Sequence, residues 1–324
     1  MTYSVGGLIE ATDYNGFAAN TVSGNVNAIW GAGAGNYGYG QSTTLSTVSV
    51  GGTVTATSWA DLVNRISTIG SHTGVTITSR TAPVAGNTIT ILNNVATDLT
   101  NLFTNRANSS ISGATISPAT GTWWQATDTP NSAWTITTTH TINFANAAAA
   151  RYFFNSGGLV KWDVFKTTTG TEADTEWNDL AETLTGTIYL SGANTAHTIN
   201  GVAYTGITKS GGTGTPSTLA TTTGFYNLTT TASTVYQQAA DSSPYTGDSI
   251  RVQMAVNSNT TPTILTVTTA WINASSATPG STEIITGGAA GSGPTTVVNY
   301  VAPETTYLAN TWGAVTISAT TGVA

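Results

Sequence analysis

Five carboxylates fall between positions 172 and 182, at Glu172, Asp174, Glu176, Asp179 and Glu182, one third of the 15 acidic side chains in the chain. Such a cluster can ligate a hard cation through oxygen, or divide into a general acid and a general base. The spacing also suits the solvated side and first turn of a helix, where acids complement the dipole. Trp177, Leu180, Ala181 and Leu184 share the opposite face, so the pattern favours this structural role.

The other chemistry-bearing residues are more scattered. His72, His140 and His197 lack the i+2 or i+4 partners of common zinc motifs, which points to packing or surface roles. Gly31 to Gly40 reads GAGAGNYGYG, but no Gly-Lys-Ser/Thr ending and no apolar strand accompany it, so it is a poor phosphate cradle. It reads instead as a loop whose Tyr37 and Tyr39 anchor it in a core or on a partner surface. Trp123 and Trp124 form an adjacent pair that can stack on sugar faces as a glycan contact. Neighbouring strand residues point to opposite faces, so at least one of the two should be core. No G-x-S-x-G elbow is present, and Asn-X-Ser/Thr triplets at Asn108, Asn227, Asn259 and Asn273 are expected by chance in so Thr-rich a chain. No catalytic residue, cofactor site or metal site is assigned.

The elements that must position these groups change character near residue 109. Before it, Ile9 to Trp30 reads as a short helix and turn. Trp59, Leu62, Val63, Ile66 and Ile69 form one helical stripe, capped by Thr57 or Ser58 and stopped by Gly70. A second helix is expected from about Thr90 to Arg106, with Leu92, Val95, Leu99, Leu102 and Phe103 inward, Asp98 off the stripe and Arg106 near the C-terminal dipole end. After Ser109, β-branched and aromatic runs alternate between turn residues. Trp134 to Phe144 places Trp134, Ile136, Thr138, His140, Ile142 and Phe144 on one strand face, and Leu159–Phe165, Thr187–Leu190, Ser249–Val256 and Ile264–Ile272 read as further strands. No fixed-period repeat supports a solenoid or propeller. The expected fold is α+β and mainly β: a helical region at 1–108, a β domain at 109–278 with one helix near 174–184, and an extended C-terminal arm at 279–324 that can fold on a neighbouring subunit. The body is either an antiparallel β-sandwich or a fibre-like β structure.

Composition narrows the function. Of 324 residues only 7% are charged, against about 25% in ordinary soluble proteins, while 39% are hydrophobic, enough for real cores. Thr, Ser, Asn and Gly carry the polarity, and their hydroxyls and amides can be buried in an interface without the desolvation cost of a charge. Cysteine is absent, which excludes disulfides and thiolate chemistry. Eight scattered Lys and Arg within a net charge of −7 make no basic stripe, so nucleic acid is not an expected partner. The opening residues lack the charged start and apolar core of a Sec signal, and no 18-residue apolar span suggests a membrane.

Two stretches resemble known proteins when taken together. LIEATDYNGF, VNAIWGAGAGNYGYGQ and the TVTATSWADLVNRI helix are similar to the N-terminal part of virion structural proteins of tailed bacteriophages, particularly phages of aquatic bacteria. ARYFFNSGG at Ala150–Gly158, with Trp177 in a helix and Thr187–Leu190 after it, resembles a segment of the same group, so that the resemblance spans about the first 190 residues of this chain. The resemblance implies a particle component (tail, fibre, spike or capsid-decorating subunit) without catalytic residues, assembled in the host cytoplasm, pairing with itself as a homo-oligomer, by fibre analogy a trimer, and with other virion proteins. ARYFFNSGG is expected as a strand, with Arg151 and Phe153 on one face and Tyr152 and Phe154 on the other, so that Tyr152, Phe153 and Phe154 lie in the core or at a subunit interface. Two other classes compete. One is a receptor- or glycan-binding module using Trp123, Trp124 or Tyr245. The other is a polysaccharide-degrading enzyme, against which the sparse carboxylates of the β region count.

Overall fold

The computed structural model describes residues 10–19, 25–33, 37–86, 94–116, 118–123, 125–127, 133–167, 172–192, 195–274, 284–286 and 293–323. Four helices come first: α1 (Ala11–Ala18), α2 (Val26–Trp30), α3 (Ala56–Thr73) and α4 (Val95–Thr104). Strands β1 (Ala119–Thr122), β2 (Gln125–Thr127) and β3 (Trp134–Asn143) precede α5 (Ala147–Asn155) and β4 (Leu159–Phe165). Helix α6 (Glu172–Asn178) runs into a π-helical turn (Asp179–Thr185), followed by β5 (Thr187–Leu190), β6 (His197–Ile199), β7 (Val202–Tyr204), β8 (Ile207–Ser210) and β9 (Thr218–Leu219). A 3-10 turn (Phe225–Asn227) leads to β10 (Ser233–Ala239), β11 (Ser249–Val256), β12 (Ile264–Asn273), β13 (Ile284–Thr286), β14 (Thr295–Val301) and β15 (Thr316–Val323).

The protein is mostly β, and every strand pair is antiparallel. One sheet has the order β1-β14-β4-β5-β8, a second β15-β3-β12-β11-β10-β9, and two small ribbons pair β13 with β2 and β6 with β7. The two large sheets share one apolar core: Trp162 and Val298 come from the first, Trp134, Trp271 and Val252 from the second, with Phe153 of α5 and Trp177 of α6 between them. Strand β3 shows why. Its burial alternates without a break, so Trp134, Ile136, Thr138, His140 and Ile142 face inward as the period-2 pattern predicts. Burying one such Trp, Ile or Phe stabilises the fold by roughly 1.5–3 kcal/mol.

The N-terminal region has its own core, where Tyr14, Phe17, Trp30, Trp59, Leu62, Leu99 and Leu102 meet. It is less helical than expected: the Gly- and Thr-rich stretches 37–55 and 75–86 carry no helix. The stripe of α3 lies where the spacing put it, but its ends differ. Thr55 caps it by accepting from the Ser58 N–H at 3.1 Å, and Gly74, at φ 70°, ends it. Gly70 lies inside the helix, where a Cβ would press on Ile77 at 3.3 Å. Helix α4 starts at Val95, and positions 90–93 lie outside the described residues.

ARYFFNSGG is a helix, not a strand. The alanines from Ala147 to Ala150 are strong helix formers, and the Asn146 side chain caps them by accepting from the Ala149 N–H at 2.9 Å. The aromatics still reach the core, because Phe153 and Phe154 at adjacent helical positions both turn towards it. The final stretch, expected as an extended β or arm segment, has its described strands paired with strands of its own chain. Strand β14 lies between β1 and β4 with Val298 buried, and β15 forms the rim beside β3. Between them, Leu308 joins the N-terminal core, and Gln41 exchanges two hydrogen bonds of 2.9 Å with the Ala309 backbone. No described helix is long and apolar enough to cross a membrane.

Candidate functional site

The acidic cluster does not act as one unit. Asp174, expected on a solvated helix side, is fully buried and pairs with the equally buried Lys166 at 2.8 Å. Glu182 accepts from the Lys166 backbone N–H at 3.2 Å. Glu176 and Asp179 approach Asp241, their oxygens within 4.8 Å of one another. Burial pushes the Glu176 carboxyl up, while a hydrogen bond with Ser242 opposes the shift. Trp177, Leu180, Ala181 and Leu184 are all buried on the opposite face.

All three histidines are buried. The His72 Nδ1 lies 2.8 Å from Glu304 Oε1, a pair that joins α3 to the segment between β14 and β15. Burial alone would raise the Glu304 pKa, but hydrogen bonds from His72 and Thr306 outweigh it and hold the carboxyl below its usual range. No spacing rule finds this pair, because 232 positions separate its members. His140 Nε2 lies 3.1 Å from the Ala119 carbonyl.

The aromatic candidates fall into different environments. Phe153 and Phe154 are core residues packed edge to face at 5.0 Å, and Phe154 stacks on Phe225 at 4.4 Å. Tyr152 is half-buried, and its ring fills the space a Cβ at Gly40 would need. Tyr39 is fully buried and donates to the Arg106 carbonyl at 2.6 Å, so it anchors the glycine loop within its own chain. Trp123 is half-buried against the main core and its backbone N–H donates to the Pro294 carbonyl at 3.0 Å. Trp124 lies outside the described residues. Tyr37, 38% exposed, stays at the surface with its ring edge-on to Phe103 at 5.1 Å.

What the fold does bring together is Tyr37 and Phe154, 117 positions apart, in the wall of a cavity of about 280 Å³ where the N-terminal region meets the β body. Arg106 lies in the same wall, its guanidinium 4.7 Å from the Tyr37 ring centre and 4.4 Å from that of Phe103. Its Nη1 donates to the Phe103 carbonyl at 2.7 Å, while Nε is out of reach of water and has no acceptor. Burial lowers the Arg106 pKa, and the neighbouring tyrosines oppose the shift. The Tyr226 hydroxyl is held by the Asn155 side-chain oxygen at 2.9 Å and the Arg151 carbonyl at 3.1 Å, and the Asn155 amide donates to the Gly38 carbonyl at 3.0 Å. These contacts fix the wall before any ligand arrives. Sequence reading placed Arg106 only at a helix end and assigned nothing to Tyr226.

A second feature is the outer face of the six-stranded sheet. The register sets Ser318, Thr141 and Thr266 in one cross-strand row and Thr320, Thr139 and Thr268 in the next. On β3 these threonines alternate with the buried residues, so their side chains project away from the core. Along β15, β3, β12 and β11 this face carries one charge, Arg251. No family model, curated protein or solved structure matches the chain.

Proposed function

We propose that the chain is a structural subunit of a tailed-bacteriophage virion that works by self-assembly, its two antiparallel sheets forming a sandwich body and its first 108 residues a docking unit. The observation that carries the reading is the threonine-lined face of β15, β3 and β12. A chain with net charge −7 repels its own copies, and a face nearly free of charge is where two copies meet without that repulsion. Threonine suits such a contact, because its methyl group packs while its hydroxyl pairs with another hydroxyl across the interface. Strand β15 strengthens the argument. It is an eight-residue rim strand, TISATTGV, with none of the lysines, prolines or inward charges that blunt exposed edges. The stretches similar to phage virion proteins support the placement in a particle, and the partner is a second copy of the chain.

The test replaces Thr139 and Thr268 together by Asp. Both point away from the core, so the fold should persist by circular dichroism while the native mass falls to that of one chain. An unchanged mass would remove this face from the assembly.

A further inference from the structure

The cavity between the N-terminal region and the β body has a chemistry that self-assembly does not use. No acidic residue is among the described residues that line it, in a chain with 15 acidic and 8 basic side chains. Among the described residues Arg106 is its one permanent cation and forms no ion pair with a carboxylate. The guanidinium carbon lies 4.7 and 4.4 Å from the centres of the Tyr37 and Phe103 rings, and its Nη2 makes no hydrogen bond to a described residue.

His197 lines the same cavity and is 7% exposed. Its Nδ1 lies 3.2 Å from the Thr195 carbonyl, so Nδ1 carries the proton and Nε2 is left as an acceptor, with no hydrogen bond to any described residue. Burial lowers the pKa of this ring, which keeps it neutral near pH 7. At the rim, Thr195 and Asn227 are exposed and offer a hydroxyl and an amide.

We propose that this cavity binds one acidic sugar unit, its carboxylate on Arg106, its ring against Tyr37 and its hydroxyls on His197, Asn227 and Thr195. A singly charged carboxylate matches the one guanidinium, whereas a doubly charged phosphate would call for a second cation or a nest of backbone N–H groups, and among the described residues the wall holds one arginine. The aromatic wall supplies the flat apolar surface that a sugar ring stacks on. At about 280 Å³ the cavity lies at the lower end of ligand-pocket volumes, room for one ring rather than an oligosaccharide. The inference stands whether or not the chain assembles.

The experiment is saturation-transfer NMR and calorimetric titration of the full chain with methyl β-glucuronide, with methyl β-glucoside and acetate as controls. The glucuronide should bind with a dissociation constant on the order of 1 mM, and each control roughly tenfold or more weaker. Arg106→Gln should weaken glucuronide binding by about tenfold or more. If that variant fails to fold, Thr195→Glu decides the matter, since it puts a like charge at an exposed rim position and should abolish binding without moving the thermal midpoint. No detectable glucuronide binding, equal binding of glucoside or acetate, or undiminished binding to the folded Thr195→Glu protein would overturn the proposal.

Discussion

Two buried ionisable groups set how single residues should respond. Burial pushes His140 down to about 4, against the hydrogen bond to Ala119, which favours the charged ring. An unfolded histidine titrates near 6.5, so between about pH 6.5 and 4 the unfolded chain takes up a proton that the folded chain refuses. Stability therefore falls as pH drops through that window, by on the order of 3 kcal/mol from this residue, and stops falling on its account below about pH 4. His197, lowered by burial as well, acts in the same direction. His140→Gln keeps a donor for Ala119 and should flatten urea-unfolding free energies measured between pH 7 and 4.5. An unchanged pH slope would show that His140 titrates normally. The Lys166–Asp174 pair makes the second case. Lys166→Met takes the paired cation from a fully buried carboxylate and should cost about 3–5 kcal/mol, most of it recovered in Lys166→Met/Asp174→Leu. A single-variant cost under about 1 kcal/mol would mean that water reaches Asp174.

At the scale of elements, the glycine loop and α5 hold each other in place. Gly40 sits at φ 75°, and a Cβ there would run into the Tyr152 ring. Gly40→Ala should cost at least about 2 kcal/mol in denaturant unfolding, from the left-handed backbone and the clash together, and a cost near zero would show that the loop shifts freely. This contact also shows where sequence reading stops. Elements with a clear period, such as the α3 stripe and the alternation of β3, were legible because each turns one face to a core. ARYFFNSGG was misread because each of its alternating faces, Arg151 with Phe153 and Tyr152 with Phe154, carries an aromatic, which fits a strand buried on two faces. The alanines before it and the Asn146 cap carried the opposite signal. Asp98 shows the same limit: it is buried rather than solvated, because Arg80 meets it at 2.6 Å. Of the cavity, Tyr37 and Phe154 were noticed as aromatics. Their meeting with Arg106, Tyr226 and His197 depends on tertiary contacts between segments far apart in the chain, which no local pattern encodes.

At the scale of the whole molecule, the low charge has two consequences. It leaves a threonine-lined sheet face and a bare rim strand on which copies can pair. It also makes the few charges present count, whether locked in buried pairs such as Lys166–Asp174 or, as at Arg106, without a carboxylate partner among the described residues. The segment after β14 fastens the N-terminal core to the β body through Leu308, Gln41 and the His72–Glu304 pair, so the N-terminal region and the body share one set of fastenings. The central claim is that the molecule functions as an assembly of its own copies. Sedimentation equilibrium of the purified wild-type chain at micromolar concentration and physiological salt tests it most directly. The account predicts a stable species at an integral multiple, two or more, of the 33.1 kDa chain mass, and a single species of 33.1 kDa at every concentration would contradict it.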